Sequence, residues 1–227
     1  MPYDLNVEQA LAAFDARVHE LAIFMQGIER WFATHPQLTK ASAPSVHSVK
    51  ARLKDRDHLA AKIVRKHGDA EPIDATNLFK RVTDLAGVRV LHLYQEQARA
   101  IHEQILDKVH SKGDWVLDEP PKAYTWDPEA KDFFAGLGLG VAVKDSFYTS
   151  VHYLVRPRVD SPLCCEVQVR TLFEEIWGEV DHSLNYPTAT DNVACREQLR
   201  VLTKVVGAGS RLLDSIFRTA AAHREQP

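Results

Sequence analysis

The sequence lacks several features that would define its class at once. Its 227 residues contain no apolar run near the roughly 18–20 residues that a membrane-spanning helix needs. Its start, MPYDLNVEQALAAFD, lacks the charged and apolar regions of a signal peptide. Cysteines number 3, two of them adjacent at 164 and 165, and no CxxC or HExxH spacing offers a zinc site. These absences predict a cytoplasmic protein with reduced thiols and no disulfide framework.

The chain also lacks a strong excess of charge of either sign. Lys and Arg number 28 and Asp and Glu 31, so the formal net charge is −3, and 45% of the residues are hydrophobic. Such a balance is typical of one large soluble domain, and it excludes a disordered or collagen-like chain. It also argues against a general nucleic-acid coat protein, because such proteins are strongly basic.

Hydrophobic periodicity predicts an α/β (α+β) fold in which helices pack on one mixed sheet. We expect strands at 46–54, 85–93, 148–155 and 164–170, with a fifth strand and a short helix inside 113–146. We expect further helices at 7–34, 57–67, between 74 and 80, at 95–112, 171–185 and 191–222. Asp55 or Asp57 would cap the helix at 57–67. The apolar stripe of 7–34 is broad, which predicts burial against the chain or a second subunit.

The near-zero net charge is the sum of two strongly charged segments of opposite sign. Residues 50–66 contain seven basic and two acidic side chains, a local charge of +5. Residues 166–186 contain five acidic and one basic, a local charge of −4. If the first helix reaches back to Lys54, then Lys54, His58 and Lys62 share one face at i, i+4 and i+8. Several cations on one face suit a polyphosphate, although a solvated helix surface has the same pattern.

Two carboxylates are associated with strands that otherwise read as buried. The strand at 164–170 alternates cleanly, so Glu166 and Arg170 share a polar face opposite an apolar one. Asp84 directly precedes the strand at 85–93. Carboxylates on neighbouring strands can hold Mg²⁺ at a phosphoryl-transfer site. The alternative is structural: Asp84 caps a turn, and Glu166 pairs with Arg170 or Arg89.

The helix at 171–185 divides into two faces by its spacing. The predicted core stripe is Phe173, Ile176, Trp177, Val180 and Leu184. The opposite face carries Glu175, Glu179, His182 and Tyr186, and we expect it to be solvated or an interface.

Four segments, taken in order, carry a resemblance to a known family. They are RLKDRDHLAAKIVRK (52–66), VTDLAGVRV (82–90), KDSFYTSVHYLV (144–155) and EVQVRTLFEEIWGEVDHSLNY (166–186). The chain resembles the synthetase domain of RelA/SpoT-type enzymes, and in size it looks like a stand-alone small alarmone synthetase. The resemblance implies a nucleotidyltransferase-like, five-stranded mixed sheet within 46–187. The flanking segments, 1–45 and 188–227, would then be helices, the first of them an oligomerisation candidate.

The resemblance also implies an activity. Family members transfer the β,γ-pyrophosphate of ATP to the ribose 3′-hydroxyl of GDP or GTP, which yields (p)ppGpp and AMP, with Mg²⁺ as cofactor. Asp84 matches the metal ligand, and Glu166 matches the carboxylate that binds or deprotonates the 3′-hydroxyl, where it would also be near the metal. On the ATP side, the matching positions are Arg52 and Arg89 (adenine sandwich), Lys54 and Lys62 (phosphates), and His58 in place of the expected serine.

On the acceptor side, Tyr148 matches the ring that stacks on guanine. Polar positions around the acceptor are Lys144, His152, Gln168 and Arg170, and Glu175 stands where small synthetases often have Asn. A carboxylate at Glu175 would accept from guanine N1 and N2, or would mark a different acceptor. The chain also has Phe147 and Thr149 where the family usually has Gly and a basic residue.

These departures keep other partners open. An adenine nucleotide or the tRNA 3′ end, as in toxin-type relatives, remains an alternative acceptor, and a catalytically silent nucleotide- or RNA-binding module remains a second class. No HD dipeptide occurs, and the flanks are too short for the family's hydrolase or ribosome-sensing regions. We therefore expect synthesis without hydrolysis, no ribosome dependence, no membrane partner, and a homo-oligomer formed by the flanking helices.

Overall fold

One mixed sheet of seven strands forms the centre of the computed structural model, which describes residues 2–40, 43–66, 68, 71–144, 147–185 and 188–224. The strands are β1 (Ser48–Leu53), β2 (Ala86–His92), β3 (Val116–Leu117), β4 (Lys122–Thr125), β5 (Gly140–Val143), β6 (Ser150–Arg156) and β7 (Cys165–Thr171). The helices are α1 (Pro2–Asp15), α2 (Val18–Thr34), α3 (Pro36–Thr39), α4 (Arg56–Arg65), α5 (Leu78–Arg81), α6 (Gln97–Leu106), α7 (Pro128–Gly136), α8 (Leu172–Asn185) and α9 (Val193–Arg224). A π-helical turn, Asp107–Ser111, extends α6.

The sheet order is β1-β2-β7-β6-β4-β5, and β3 pairs with β6. The β2–β7 and β4–β5 pairs are parallel and the other pairs are antiparallel. The predicted mixed α/β fold is confirmed, but the expected count of five strands is wrong. Residues 113–146 contain three strands instead of one, because strands of two to four residues are too short to show an alternating pattern.

The two faces of the sheet differ sharply in polarity. On β7, Cys165, Val167 and Val169 are at most 2% exposed, and they face the same side as the buried Val88 of β2. Helices α2 and α6 pack on that side and complete the core. The opposite side carries Glu166 and its polar neighbours, so the alternation in the sequence separates the core from the candidate site.

The expected helix at 7–34 is wrong as a single element. The backbone leaves helical geometry at Arg17 (φ −122°, ψ 3°), which separates α1 from α2. Four apolar positions of α2, among them Leu21, Ile28 and Phe32, are buried within this chain, and α2 packs on β1 and β2, whereas Ile23 is 58% exposed. The broad apolar stripe is therefore divided between two helices, and the apolar spacing alone does not reveal the break between them.

The predicted core stripe of α8 is also wrong in part. Ile176 is 50% exposed and Leu184 37%, whereas Glu175 is buried beside Trp177. The physical reason is an ion pair between Glu175 and the buried Arg170, which draws the acidic face of α8 onto the sheet. Tyr186 lies outside the described residues.

Two other helices frame the site. Asp55 caps α4, and its carboxylate accepts from the backbone N–H groups of Asp57 and His58, so the first of the two predicted caps is confirmed. Helix α9 packs on α8 and buries Leu199 and Val206.

In the part of the chain that the structure describes, no helix is both long enough and apolar enough to cross a membrane.

The core side of β6 provides a test of buried polar packing. The hydroxyl of Tyr153, a residue that is 1% exposed, lies 2.9 Å from Nδ1 of His102 on α6. We expect Tyr153→Phe to lower the free energy of unfolding by about 1–3 kcal/mol, because it leaves a buried ring nitrogen unpaired. Urea denaturation measures this change. The control is Tyr94→Phe, at a partly exposed tyrosine, and an equal loss in both variants would contradict the interpretation.

Candidate functional site

The polar side of the sheet assembles residues from four strands. Parallel pairing aligns Gly87 and Arg89 of β2 with Glu166 and Gln168 of β7. On the other side of β7, His152 of β6 lies opposite Gln168. On the far side of β2, Lys50 and Arg52 of β1 are paired with Arg89 and Gly87, respectively. Register alone therefore brings Arg52, Arg89, His152, Glu166 and Gln168, five predicted site residues, to one surface.

Asp84 lies between two lysines just before β2. Lys54 Nζ is 2.8 Å from Oδ2 of Asp84, and Lys62 Nζ is 2.7 Å from Oδ1. Burial disfavours the ionised carboxyl, but the two lysine hydrogen bonds outweigh it and hold the pKa of Asp84 below its usual range. Lys54, which lies between β1 and α4, and Lys62 of α4 thus both meet a carboxylate that is ionised at neutral pH. Because α4 begins only at Arg56, the expected helix face shared by Lys54, His58 and Lys62 is wrong.

Glu166 is fixed by two neighbours on the same face. Its Oε1 lies 3.0 Å from Nδ1 of His152, and its Oε2 accepts from Nε2 of Gln168 at 2.7 Å. Burial raises the pKa of Glu166, but the contacts with His152 and Gln168 prevail, so the net shift is downward. His152 Nε2 in turn lies 2.9 Å from the hydroxyl of Tyr148, which makes a continuous chain from Tyr148 to the carboxylate.

A second charge cluster surrounds Glu175 at the start of α8. Its carboxylate pairs with Arg170 and lies 2.9 Å from Lys50 Nζ and 3.3 Å from Arg89 Nη1. Burial opposes ionisation here too, but Arg170 and the other cations keep the pKa of Glu175 below its usual range. Arg89 Nη1 also lies 2.7 Å from Oε1 of Glu179. Both carboxylates therefore hold Arg89, and the role of Glu175 at an acceptor stays a prediction.

Two cavities open on this surface. One of about 120 Å³ is lined by residues including Arg52, Asp84 and Glu166. The other, of about 390 Å³, is lined by residues including Tyr148 and Trp177. Arg52 and Arg89 line both cavities, so they stand at the junction. Among the described residues, Trp177 Nε1 and Arg170 Nε are buried donors without a protein partner, and an acceptor atom of a ligand would satisfy either of them.

The remaining predicted residues lie at the periphery. His58 Nδ1 is 3.9 Å from Oδ1 of Asp55 at the exposed start of α4. Lys144 Nζ lies 4.8 Å from the ring centre of Tyr124, which packs edge-on against His152. Their assignments to the ATP phosphates and to the acceptor stay predictions.

The loop before β6 differs from the family pattern in side chains but retains an unusual backbone. Phe147 has φ 59°, a left-handed conformation that favours glycine, and its ring contacts Trp126 at a centroid distance of 5.5 Å. Oγ1 of Thr149 lies 3.1 Å from Oγ1 of the fully buried Thr125. The Thr149 hydroxyl therefore points toward the interior of the protein.

The carboxylates present fit a magnesium ion. Mg²⁺ in phosphoryl-transfer sites binds one or two carboxylates, and waters and substrate phosphates complete its octahedron. Asp84 and Glu166 line the same cavity and both are kept ionised. In the described ranges, no group of three or more His, Cys, Asp or Glu residues is arranged to hold a metal. The donor set therefore fits a metal that arrives with its substrate.

Glu174 is a buried site neighbour that the sequence analysis did not select. It is 6% exposed, and its Oε2 has no hydrogen-bond partner among the described residues. Burial raises the pKa of Glu174 to about 8, Arg170 opposes the rise and Asp127 adds to it. The sequence signal for it was the adjacent pair Glu174-Glu175 directly after a predicted buried strand. Adjacent residues of a helix point about 100° apart, so the two carboxylates do not share one face.

The fold and the site together define a mixed α/β domain with a charged, carboxylate-bearing site on one side of its sheet. The family model described as "Region found in RelA / SpoT proteins" matches residues 51–191. The chain therefore belongs to the RelA/SpoT family, and the resemblance in its motifs is confirmed. No curated protein sequence matches it.

Solved structures share the fold along almost the whole chain. Small alarmone synthetase 1 from Bacillus subtilis, bound to its product pppGpp, is 19% identical with a TM-score of 0.63 and covers 94% of this chain and 97% of its own. Protein smu.1046c from Streptococcus mutans is 20% identical with the same TM-score and coverage. A GTP pyrophosphokinase family protein from Streptococcus pneumoniae is 20% identical, with a TM-score of 0.59 and coverage of 92% and 91%.

The buried carboxyl of Glu174 predicts a pH-dependent stability. Its pKa of about 8 lies above that of an exposed carboxyl, so the folded protein keeps a proton that the unfolded chain releases. The contribution of Glu174 to stability is therefore expected to fall as pH rises from about 5 to about 8, by up to about 1.4 kcal/mol per pH unit, whereas buried His92, whose pKa is lowered to about 4, gives the opposite slope below about pH 6.5. Glu174→Gln should flatten this decline in urea denaturation. Parallel pH curves for the wild type and the variant would contradict the assignment.

Proposed function

We propose that the protein transfers the β,γ-pyrophosphate of ATP to the ribose 3′-hydroxyl of GDP or GTP, producing (p)ppGpp and AMP in the presence of Mg²⁺. The observation that carries the proposal is the pair of ionised carboxylates, Asp84 and Glu166, which line one cavity among cations from β1, β2 and α4. Family membership supports the same class of reaction. Cytoplasmic location and homo-oligomer formation belong to the proposal as well.

ATP would occupy the side of the site near β1. The planar guanidinium groups of Arg52 and Arg89 would stack on adenine, which needs no hydrogen bond to the base edge. Lys54 and Lys62 would bind the phosphates, since both ammonium groups already converge on one point at Asp84. Two ammonium groups facing one carboxylate leave an excess positive charge, and this excess favours a polyphosphate.

Glu166 would bind or deprotonate the 3′-hydroxyl of the acceptor. His152 and Gln168 each contact one of its oxygens, so its orientation is fixed before the acceptor arrives. A general base needs its ionised form, and the lowered pKa of Glu166 supplies that form at neutral pH. Positioning of the two substrates accounts for most of the catalysis in this class of reaction.

Magnesium would be held by Asp84 and Glu166. When bound there, it would supply charge neutralisation for the phosphate oxygens of ATP. Solved structures of Bacillus subtilis small alarmone synthetase 1, one with pppGpp and one with AMPCPP, support nucleotides as the partners of this fold.

One observation favours a second acceptor class. Thr149 is turned toward Thr125, so this position provides no cation for the 5′-phosphates of GDP or GTP. The rim of the 390 Å³ cavity includes the carboxylates of Glu179 and Asp181 beside the guanidinium groups of Arg52, Arg89 and Arg170. An acceptor that carries less phosphate near this rim, such as an RNA 3′ end, is therefore the second candidate for the same chemistry.

We expect Glu166→Gln to lower turnover by at least about 100-fold, the range that a general base contributes, while ATP affinity stays close to the wild-type value. The amide keeps the size of the side chain but accepts no proton. Steady-state turnover and equilibrium ATP binding measure the two effects. Glu129→Gln, at an exposed carboxylate on α7, is the matched control. Near wild-type turnover in Glu166→Gln would remove Glu166 from the mechanism.

The acceptor is identified by incubating the protein with γ-labelled ATP, Mg²⁺ and, separately, GDP, GTP, ATP and deacylated tRNA. We expect label on GDP or GTP, together with release of AMP. Label on tRNA alone would replace the nucleotide acceptor by the RNA end. No transfer to any acceptor, with ATP binding intact, would indicate a silent binding module and refute the proposed activity.

A further inference from the structure

We propose that Glu175 is a positioning residue for ATP, which holds the guanidinium of Arg89 in place for the adenine base, and that it is not part of the acceptor site. The inference rests on the proposed function, because it takes adenine to bind at Arg89. It departs from the expectation that a carboxylate at this position accepts hydrogen bonds from an acceptor base.

Both oxygens of Glu175 are occupied by cations of the protein. Its Oε2 pairs with the buried Arg170. Its Oε1 accepts from Lys50 Nζ at 2.9 Å and from Arg89 Nη1 at 3.3 Å. The side chain of Glu175 is 4% exposed. An acceptor base would therefore have to displace a protein cation to reach either oxygen, at a depth where an unpaired charge is costly.

Glu175 stands behind the two cavities of the site. Arg89 lines both the cavity of about 120 Å³ and the cavity of about 390 Å³, whereas Glu175 is not among the described residues that line either of them. Lys50 lines the smaller cavity and Arg170 the larger. The carboxylate therefore contacts the side chains that form the walls, and it acts on a ligand through them.

The two arginines proposed to enclose adenine are held differently. Arg89 Nη1 lies 2.7 Å from Oε1 of Glu179 and 3.3 Å from Oε1 of Glu175. Within the described ranges, the side chain of Arg52 makes no ion pair. Two carboxylates on one guanidinium restrict its position, and a planar cation stacks on a base only in a suitable orientation. Arg89 is thus the fixed side of the proposed base site, and Arg52 is the side that can adjust.

The Glu175 carboxylate is also the counter-ion around which three cations gather. Lys50 and Arg89 are direct partners in the β1–β2 register, and Arg170 lies on the neighbouring β7. Without the charge of Glu175, these cations would repel one another. Glu179 does not replace it, because its side chain is 57% exposed and exposed ion pairs contribute little.

The test separates the adenine part of ATP binding from the phosphate part. Dissociation constants are measured for ATP and for inorganic tripolyphosphate, both with Mg²⁺, in the wild type and in Glu175→Gln. We expect the Kd for ATP to rise about three- to tenfold, the range that one net hydrogen bond provides. The Kd for tripolyphosphate should not rise, because Lys54 and Lys62 remain in place. Glu197→Gln, at an exposed carboxylate of α9 that pairs with Arg200, is the matched control.

A double-mutant cycle shows whether Glu175 acts through Arg89. Arg89→Ala should weaken ATP binding by itself, and Glu175→Gln should then add far less than it does in the wild type. In turnover assays, the KM for GDP or GTP should stay at the wild-type value in Glu175→Gln. A merely structural role would weaken the binding of both ATP and tripolyphosphate, and it would not depend on Arg89.

Three results would overturn the inference: equal losses of affinity for ATP and tripolyphosphate, full additivity in the cycle, or a higher acceptor KM with unchanged ATP affinity. Thermal melts establish that each variant folds. If Glu175→Gln does not fold, Glu175→Asp replaces it, because aspartate keeps a charge for Arg170 on a shorter side chain.

Failure of the proposed function is distinguishable from failure of the inference. If only the function fails, the wild type binds ATP more tightly than tripolyphosphate but transfers no label, and the two dissociation constants still report on Glu175. Equal binding of ATP and tripolyphosphate by the wild type would overturn the inference, because Arg89 would then hold no base.

Discussion

Charges buried on the polar side of the sheet have to be paired, and this requirement determines how the helices close over it. Arg170 and Glu175 have side chains that are each 4% exposed, so either alone would carry a large desolvation cost. Their pairing holds α8 against the sheet, although the helix begins directly after the end of β7. Gly178 allows the approach, because a Cβ there would lie 3.1 Å from Nη1 of Arg170. The same placement of α8 brings Glu175 and Glu179 to Arg89.

The two halves of the site hold their charges differently. At Asp84, the partners are lysines, whose ammonium groups are compact and sit on flexible stems. Such cations can move from a carboxylate to a phosphate with little change in the backbone. At Glu175, the buried partner among three cations is Arg170, which also faces the ring of Tyr148, while Lys50 and Arg89 approach from β1 and β2. The half with the lysines is therefore adaptable, and the half with Arg170 is preorganised.

The sequence allowed prediction of the features that depend on local pattern. The alternation of β7 placed Glu166 and Gln168 on the polar side of the sheet, and Asp55 was one of two predicted caps of α4. Features that depend on tertiary contacts were missed. The burial of Glu175 requires Arg170 to be known as its partner, and the helix break at Arg17 leaves the apolar spacing on either side intact. The short strands between 113 and 146 depend on pairing with neighbouring strands, which their own sequence pattern does not show.

In the loop before β6, the backbone has a conformation typical of glycine, but the side chains differ from those usual in the family. Phe147 keeps a left-handed φ of 59°, at a cost of about 1 kcal/mol for an L residue, and its contact with Trp126 offsets part of that cost. The backbone at Phe147 thus has a conformation that glycine adopts readily, while Thr149 points inward to Thr125. If the proposed function holds, the loop still presents Tyr148 but adds no cation of its own. Selection among acceptors then depends on the groups that line the larger cavity, where the buried N–H of Trp177 has no protein partner among the described residues.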